Sequence, residues 1–389
     1  MEFTRTHLLM LCITAFFAMA AGTLLAPVLP EMVEPLHTTS AGASLLVSVL
    51  TISIAIFTLV IGHFIDRVNR KTILVPCLVI YGLTGLACFF VSDLTLLCVL
   101  RFVQGFGVAG MMTLALLIIG DVYRGNESLR PVSAISMSFA IGAITVPLIG
   151  GYLALPGWNR PFLFYALALP FALAVLAWLP ETKTEYHGAG HAGIGSAFAA
   201  LKDLRVAYTV FLGFCVYFLL FAMAVWVPFL LKGTYHFTSG ESGLALALEG
   251  VAVIAMASRV GTLAGKYTMP VVIAAGFAVV GASLALMLSV PSLVLVLLML
   301  VLFGAGYALA QITVDALIIK VSSPESRGGV LSLHTCAKYT GSSLAPVLLG
   351  IVLATAGLEA VFILAGLFGL VVALATWGMR SRFAEQKTA

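Results

Sequence analysis

Residues 267–314 read YTMPVVIAAGFAVVGASLALMLSVPSLVLVLLMLVLFGAGYALAQITV, 48 positions between Lys266 and Asp315 without one formal charge. As a single helix they would be about 72 Å long at 1.5 Å per residue, against a bilayer core of about 30 Å. The stretch must therefore cross a membrane twice, turning at Ser289-Val290-Pro291-Ser292. Barrel strands would alternate apolar and polar residues, and this run is continuously apolar. The fold it dictates is all-α and polytopic.

The rest of the chain has the same character. Of 389 residues, 61% are hydrophobic and 9% charged, with a mean hydropathy of +1.13. Soluble domains carry about 25% charge, so a soluble enzyme, a disordered chain and a nucleic-acid-binding domain are all excluded. Charges recur at intervals of about 20 residues, one bilayer crossing. They divide the sequence into twelve predicted spans, roughly 8–30, 43–62, 72–92, 95–119, 132–155, 161–180, 206–231, 241–264, 269–289, 293–317, 328–355 and 359–379. With the N-terminus inside, 16 of the 20 Lys and Arg residues fall on the cytoplasmic side. Only Arg160 and Lys232 fall outside, and Arg101 and Lys338 lie within spans. The positive-inside rule then places both termini in the cytoplasm of a cell (inner) membrane protein. The net charge of +4 is anchoring charge and implies no nucleic-acid partner.

One polar stretch, Glu181–Arg205, splits the chain six spans from six. The expected organisation is a bundle over 1–180, a cytoplasmic linker over 181–205 and a second bundle with a short tail over 206–389, the layout of two parallel repeats. His187 and His191 stand four apart in the linker, but among glycines no helix holds them together, and no metal is expected. The six cysteines all fall in spans without a CxxC pair and read as small buried hydrophobes.

Three local patterns carry more. The loop after the second span reads Gly62-His63-Phe64-Ile65-Asp66-Arg67-Val68-Asn69-Arg70-Lys71. Asn69 suits a tight turn, and Asp66 can pair with Arg67 or Arg70 or cap a helix. The fourth span holds Leu97-x3-Arg101-x2-Gln104-Gly105, with the arginine about six residues, or about 9 Å, inside. An intramembrane arginine is costly enough to mark function. The fifth span holds Gly142-x4-Pro147-x2-Gly150-Gly151, small residues that permit close helix approach beside a proline bend. In place and register these resemble the loop, arginine and antiporter signatures of the major facilitator superfamily. That resemblance implies two six-helix bundles, alternating access, a gating role for Asp66, Arg67 and Arg70, and a proton-coupling role for Arg101 with Gln104. In the second half the loop signature is degraded, with Gly265 at the aspartate position. Asp121 and Asp315 read as charges at the ends of spans four and ten.

Two further ions stand inside spans. Glu249 is about eight residues, or about 12 Å, into the eighth, and Lys338 about ten residues, or about 15 Å, into the eleventh. Each must face water, a substrate or the other, and they are expected to pair, with His334 one turn from Lys338 on the same face. Glu31 and Glu34 read as a solvated rim. The aromatic and Met residues of the seventh span, Tyr217, Phe218, Phe221, Met223 and Trp226, fit either helix packing or an apolar pocket.

No metalloprotease, nucleophile-elbow or P-loop motif is present, so neither an enzyme nor an ATP-driven pump is expected, and no cofactor. The expected function is a secondary active transporter resembling twelve-span drug:proton antiporters, a proton-coupled exporter of small organic molecules. The alternative is a proton-coupled importer of a small organic anion or zwitterion, which Lys338 favours. The partners expected are a small-molecule substrate, protons and the lipid bilayer, around a monomer.

Overall fold

The computed structural model describes residues 3–64, 68–123, 129–182, 198–289, 292–323 and 326–384. Asp66, Arg67, His187 and His191 lie outside these, so the readings of those four residues do too. Among the described residues there is no strand. In hydrocarbon a lone helix satisfies its own backbone, and long apolar runs fold accordingly. The helices of the first half are α1 (Arg5–Thr23), α2 (Ser40–Phe64), α3 (Arg70–Phe89), α4 (Leu94–Val122), α5 (Leu129–Ala154) and α6, built from Phe162–Ala166 and Ala168–Trp178. The second half holds α7 (Leu204–Tyr235), α8 (Ser239–Lys266), α9 (Met269–Leu286), α10 (Leu293–Val321) and the 52-residue Arg327–Gly378. That last helix is about 78 Å along its axis, too long for one crossing. It breaks at Gly357, whose φ of 83° and ψ of 176° only glycine adopts readily, and so divides into α11 (327–356) and α12 (358–378).

Ten helices among the described residues are long and apolar enough to span, one of them the broken Arg327–Gly378, and Phe162–Trp178 is a shorter apolar helix. These account for the twelve expected segments. The first departs from its expected form. It ends as a regular helix at Thr23 and continues through a 3-10 turn, Ala26–Val28, into Leu29–Met32. Pro27 brings no N–H for the carbonyl four residues back, which stops the α-helix there.

Packing groups the chain into two units, Met1–His191 with Phe237–Gly243, and Ala192–His236 with Leu244–Ala389. In the first, α4 is the central helix and touches α1, α2 and α3, while α3 also packs on α6 and α1 on α5. Without a hydrophobic force between helices, close approach supplies the contact energy, and small residues permit it. A Cβ at Gly107 on α4 would stand 2.6 Å from the Cys77 carbonyl of α3, and one at Gly105 2.7 Å from the Leu50 carbonyl of α2. In the second unit α9 lies against α10 and against the α11–α12 chain, with Gly276 meeting Gly306 and Gly281 meeting Gly366.

The Gly107 contact is backbone against backbone, which no side-chain rotamer relieves. Gly107→Val should cost about 1–3 kcal/mol through overpacking, read as a lowered Tm of the purified protein. An unchanged Tm would show that α3 and α4 are free to part.

Candidate functional site

Three polar constellations interrupt these apolar bundles, each within one unit. The first surrounds Arg101, which is fully buried at 0% exposure. Its Nε donates to the Leu46 carbonyl (3.2 Å), Nη2 to the Ala21 carbonyl (2.7 Å), and Nη1 to Gln104 Oε1 (2.7 Å) and the Tyr165 hydroxyl (3.3 Å). Gln104 Nε2 in turn donates to the Tyr81 carbonyl (3.2 Å), and the Tyr81 hydroxyl donates to the Phe17 carbonyl (2.7 Å). Ala21 lies in the last turn of α1, where carbonyls lack an intrahelical partner and the helix dipole is negative. The guanidinium thus caps α1 and ties it to α2, α4 and α6. Every one of these acceptors is neutral. No carboxylate is among them, and the contacts hold the ends of several helices together.

The second constellation lies at the end of the signature loop. Arg70 opens α3, and its Nε donates to Asp121 Oδ2 at 2.7 Å across to the end of α4. Its backbone N–H donates to Glu181 Oε1 at 2.9 Å. Side-chain exposures of 7% and 14% make this a largely buried pair; the sequence places Asp121 at the end of its span but offers Arg70 to Asp66 instead. The antiporter-like α5 approaches α1 at Gly142 and Gly150, where added Cβ atoms would meet Met19 and the Leu24 carbonyl. At Gly151 a Cβ would meet the Ser239 carbonyl, and Ser239 Oγ donates to the Gly151 carbonyl at 3.0 Å. The carbonyl of Pro147 fills the space over Gly243. The small residues of α5 are therefore close-approach positions. They bring residues 237–243 onto the first unit, although sequence alone assigns them to the second bundle.

The third constellation corrects two expectations. Asp315 is not at a helix end, because α10 runs on to Val321 and leaves it about 9 Å inside. Nor does Lys338 pair with Glu249. Lys338 Nζ donates to Asp315 Oδ1 at 2.9 Å and to Oδ2 at 3.2 Å. His334 Nε2 lies 3.0 Å from Oδ1, and Gln311 Nε2 donates to Oδ2 at 2.5 Å. Glu249 is too far along the bundle to compete. Its carbonyl abuts Gly304, eleven residues from Asp315 along α10, or about 16 Å. The Glu249 side chain, on a residue only 8% exposed, makes no salt bridge among the described residues.

An ionised carboxylate only accepts, so His334 presents an Nε2–H to it and leaves Nδ1 without a partner. The imidazole, 4% exposed, is seated against Gly213 of α7, where a Cβ would run into the ring. Tyr217 of α7 lies under the ammonium, with its ring centroid 4.8 Å from Lys338 Nζ, a cation–π contact. The aromatic belt of α7 therefore divides by role. Tyr217 borders the site, Phe218 packs on Phe368 of α12 at 5.1 Å, and Trp226 is wholly buried. Asp315 keeps 43% of its side chain exposed against 13% for Lys338. A carboxylate placed within a span is costly, which singles Asp315 out as a candidate functional group. Among the described residues no cluster of metal-ligating side chains occurs.

The model of the Major Facilitator Superfamily matches residues 11–346, and the chain belongs to that superfamily. It is a multi-pass membrane transporter of small molecules and not an enzyme. It is 28% identical over 340 residues, 84% of each chain, to the Bacillibactin exporter of Bacillus subtilis. Over 349 residues, 82% of this chain and 75% of the other, it is 28% identical to the Gentisate transporter of Corynebacterium glutamicum. Among solved structures, a bacterial homolog to the human lysosomal transporter Spinster superposes with a TM-score of 0.81 over 97% of this chain and 96% of its own. At 18% identity that likeness establishes the fold.

The seat of His334 gives a direct test. Gly213→Ala should push the imidazole off Asp315 and slow counterflow of a substrate found by thermal-shift screening roughly tenfold or more, given the about 1.5–3 kcal/mol of a hydrogen bond to a charged group. Gly233→Ala on the same helix, where a Cβ meets open space, is the control and should transport normally. Equal rates in both would remove His334 from the site.

Proposed function

We propose that the protein is a proton-coupled secondary transporter of small organic molecules that works by alternating access, with Asp315 as the group that takes and releases the proton. The observation that carries this is a half-exposed carboxylate inside a span, held by Lys338, His334 and Gln311. A charge that costly is kept where its ionisation has work to do. Lys338 and His334 set its protonation, and Arg101 with Gln104 holds the helices of the first unit together. Asp66, Arg67 and Arg70 form the inner gate, and Glu249 is a second protonatable group on α8. The protein acts as a monomer in the cell (inner) membrane, with both termini cytoplasmic and bundles over 1–180 and 206–389 joined by the linker 181–205.

Direction divides into two readings. Export by proton antiport is supported by the close-packed α5 signature and by the exporter among the relatives. Import of a small organic anion or zwitterion is supported by the ammonium of Lys338 in the site.

Asp315→Asn in proteoliposomes should abolish accumulation driven by an imposed pH gradient while leaving counterflow, which needs no net proton movement. Undiminished gradient-driven accumulation would remove Asp315 from the coupling role.

A further inference from the structure

We infer that the Asp315–Lys338 site takes an organic monoanion with an aromatic body, and that each anion binds together with one proton on Asp315. The inference rests on the reading of Asp315 as the coupling carboxylate and adds the charge and class of the substrate to it.

Charge counting carries it. The empty site holds one carboxylate and one ammonium, with His334 neutral, and is electrically balanced. Inside a membrane protein an unbalanced charge is the expensive state. An anion that arrives alone leaves the site at minus one, and a cation that arrives alone leaves it at plus one. An anion that arrives with a proton leaves it balanced: the proton from solution bonds to a carboxylate oxygen of Asp315, Lys338 stays an ammonium, and the anion becomes its counter-ion. The proton does mechanical work too, because a neutral carboxyl group releases the ammonium that the carboxylate holds at 2.9 and 3.2 Å.

The hydrogen-bond inventory separates an anion from a zwitterion. A carboxylate has about four acceptor positions. Here Oδ1 takes Lys338 and His334 and Oδ2 takes Lys338 and Gln311, so nothing is left for a substrate ammonium. Lys338, by contrast, spends all its donors on one carboxylate and one ring face, and becomes available once that carboxylate is protonated. Nδ1 of His334 and Oε1 of Gln311 are buried polar atoms without partners beside the same carboxylate, the mark of a site built for a further polar group.

Aromatic rings supply the class. Tyr217 lies under the ammonium, Tyr339 meets the Tyr217 ring edge-on at 5.9 Å, and Tyr307 of α10 lies near both Tyr217 and Asp315. An aryl carboxylate can pair with Lys338 while its ring lies among these three.

The groups facing Asp315 are few enough to assign the proton. They are Lys338 and His334 from α11, Tyr217 from α7 and Tyr307 from α10. The α9 sequence holds no charged or histidine residue, and Glu249 of α8 is level with Gly304. Tyrosines do not ionise near neutral pH, and a second cation on His334 would face Lys338.

The test is calorimetric titration of the purified full-length protein with benzoate, in buffers of different ionisation enthalpy, at several pH values. One proton should be taken up per benzoate, and the affinity should fall about tenfold per pH unit where Asp315 is ionised. Benzamide, benzylammonium and phenylalanine, the neutral, cationic and zwitterionic analogues, should bind at least tenfold more weakly. Asp315→Asn should bind benzoate independently of pH. Benzoate binding without proton uptake, proton uptake that persists in Asp315→Asn, tighter binding of any of the other three ligands, or no benzoate binding at any pH would each overturn the inference. Loss of gradient-driven transport in Asp315→Asn combined with any of these results would leave the coupling reading standing and this one refuted. Retained gradient-driven transport would refute the coupling reading itself.

Discussion

Hydrocarbon supplies no partner for an ion or an open backbone group, so a charge within a span of this chain has to be compensated by the protein, by water or by a proton. The solutions differ in kind. Arg101 is compensated without a counter-ion, by the Ala21 carbonyl that the last turn of α1 leaves open, by the Leu46 carbonyl of α2 and by the negative end of the α1 dipole. Arg70 is paired at the membrane edge with Asp121, and both are largely buried. Lys338 is paired with Asp315, which is the one arrangement of the three that keeps a carboxylate open to solvent. A fully enclosed charge with fixed neutral partners has no alternative state. A half-exposed pair has two, which is what a transport cycle requires.

The two units use the same packing device and spend their polar groups differently. Glycines bring helix backbones together throughout, α3 to α4 at Gly107 in the first unit and α9 to α10 at Gly276 and Gly306 in the second. In the first unit the buried polar network fixes helices: Arg101, Gln104, Tyr81 and Tyr165 together engage α1, α2, α3, α4 and α6. In the second unit the polar network converges on one acceptor, Asp315. The first network is spread over five helices, and the second is focused on one carboxylate.

Much of the fold is legible in the sequence, because bilayer thickness converts the spacing of charges directly into spans. The glycines of α5, the arginine of α4 and the break at Gly357 also stand where the pattern puts them. The pairing of Lys338 was not legible, for a physical reason. Reading Asp315 as the end of the uncharged run placed it at the membrane edge, yet α10 continues through Ile318 and Ile319 to Val321, and carries the aspartate inward. Glu249 was the more conspicuous ion because its neighbours are apolar. The signal that finds the site is positional: Gln311 and Asp315 on one span, and His334 and Lys338 on the next, are each four residues apart and so share a face of their helix. The break in α1 was concealed similarly, since a proline within an apolar run does not reveal that an arginine on another helix caps the end it creates.

The most direct measurement of charge compensation at the centre of the second unit is a double-mutant cycle on Asp315 and Lys338, read as the Tm of protein reconstituted in lipid. Mutual compensation predicts that Asp315→Asn and Lys338→Met each destabilise by about 3–5 kcal/mol because each strands a charge, and that the double variant is more stable than either single one. Additive losses in the double variant would show that the two charges stand independently, and would contradict a coupling site built on their exchange.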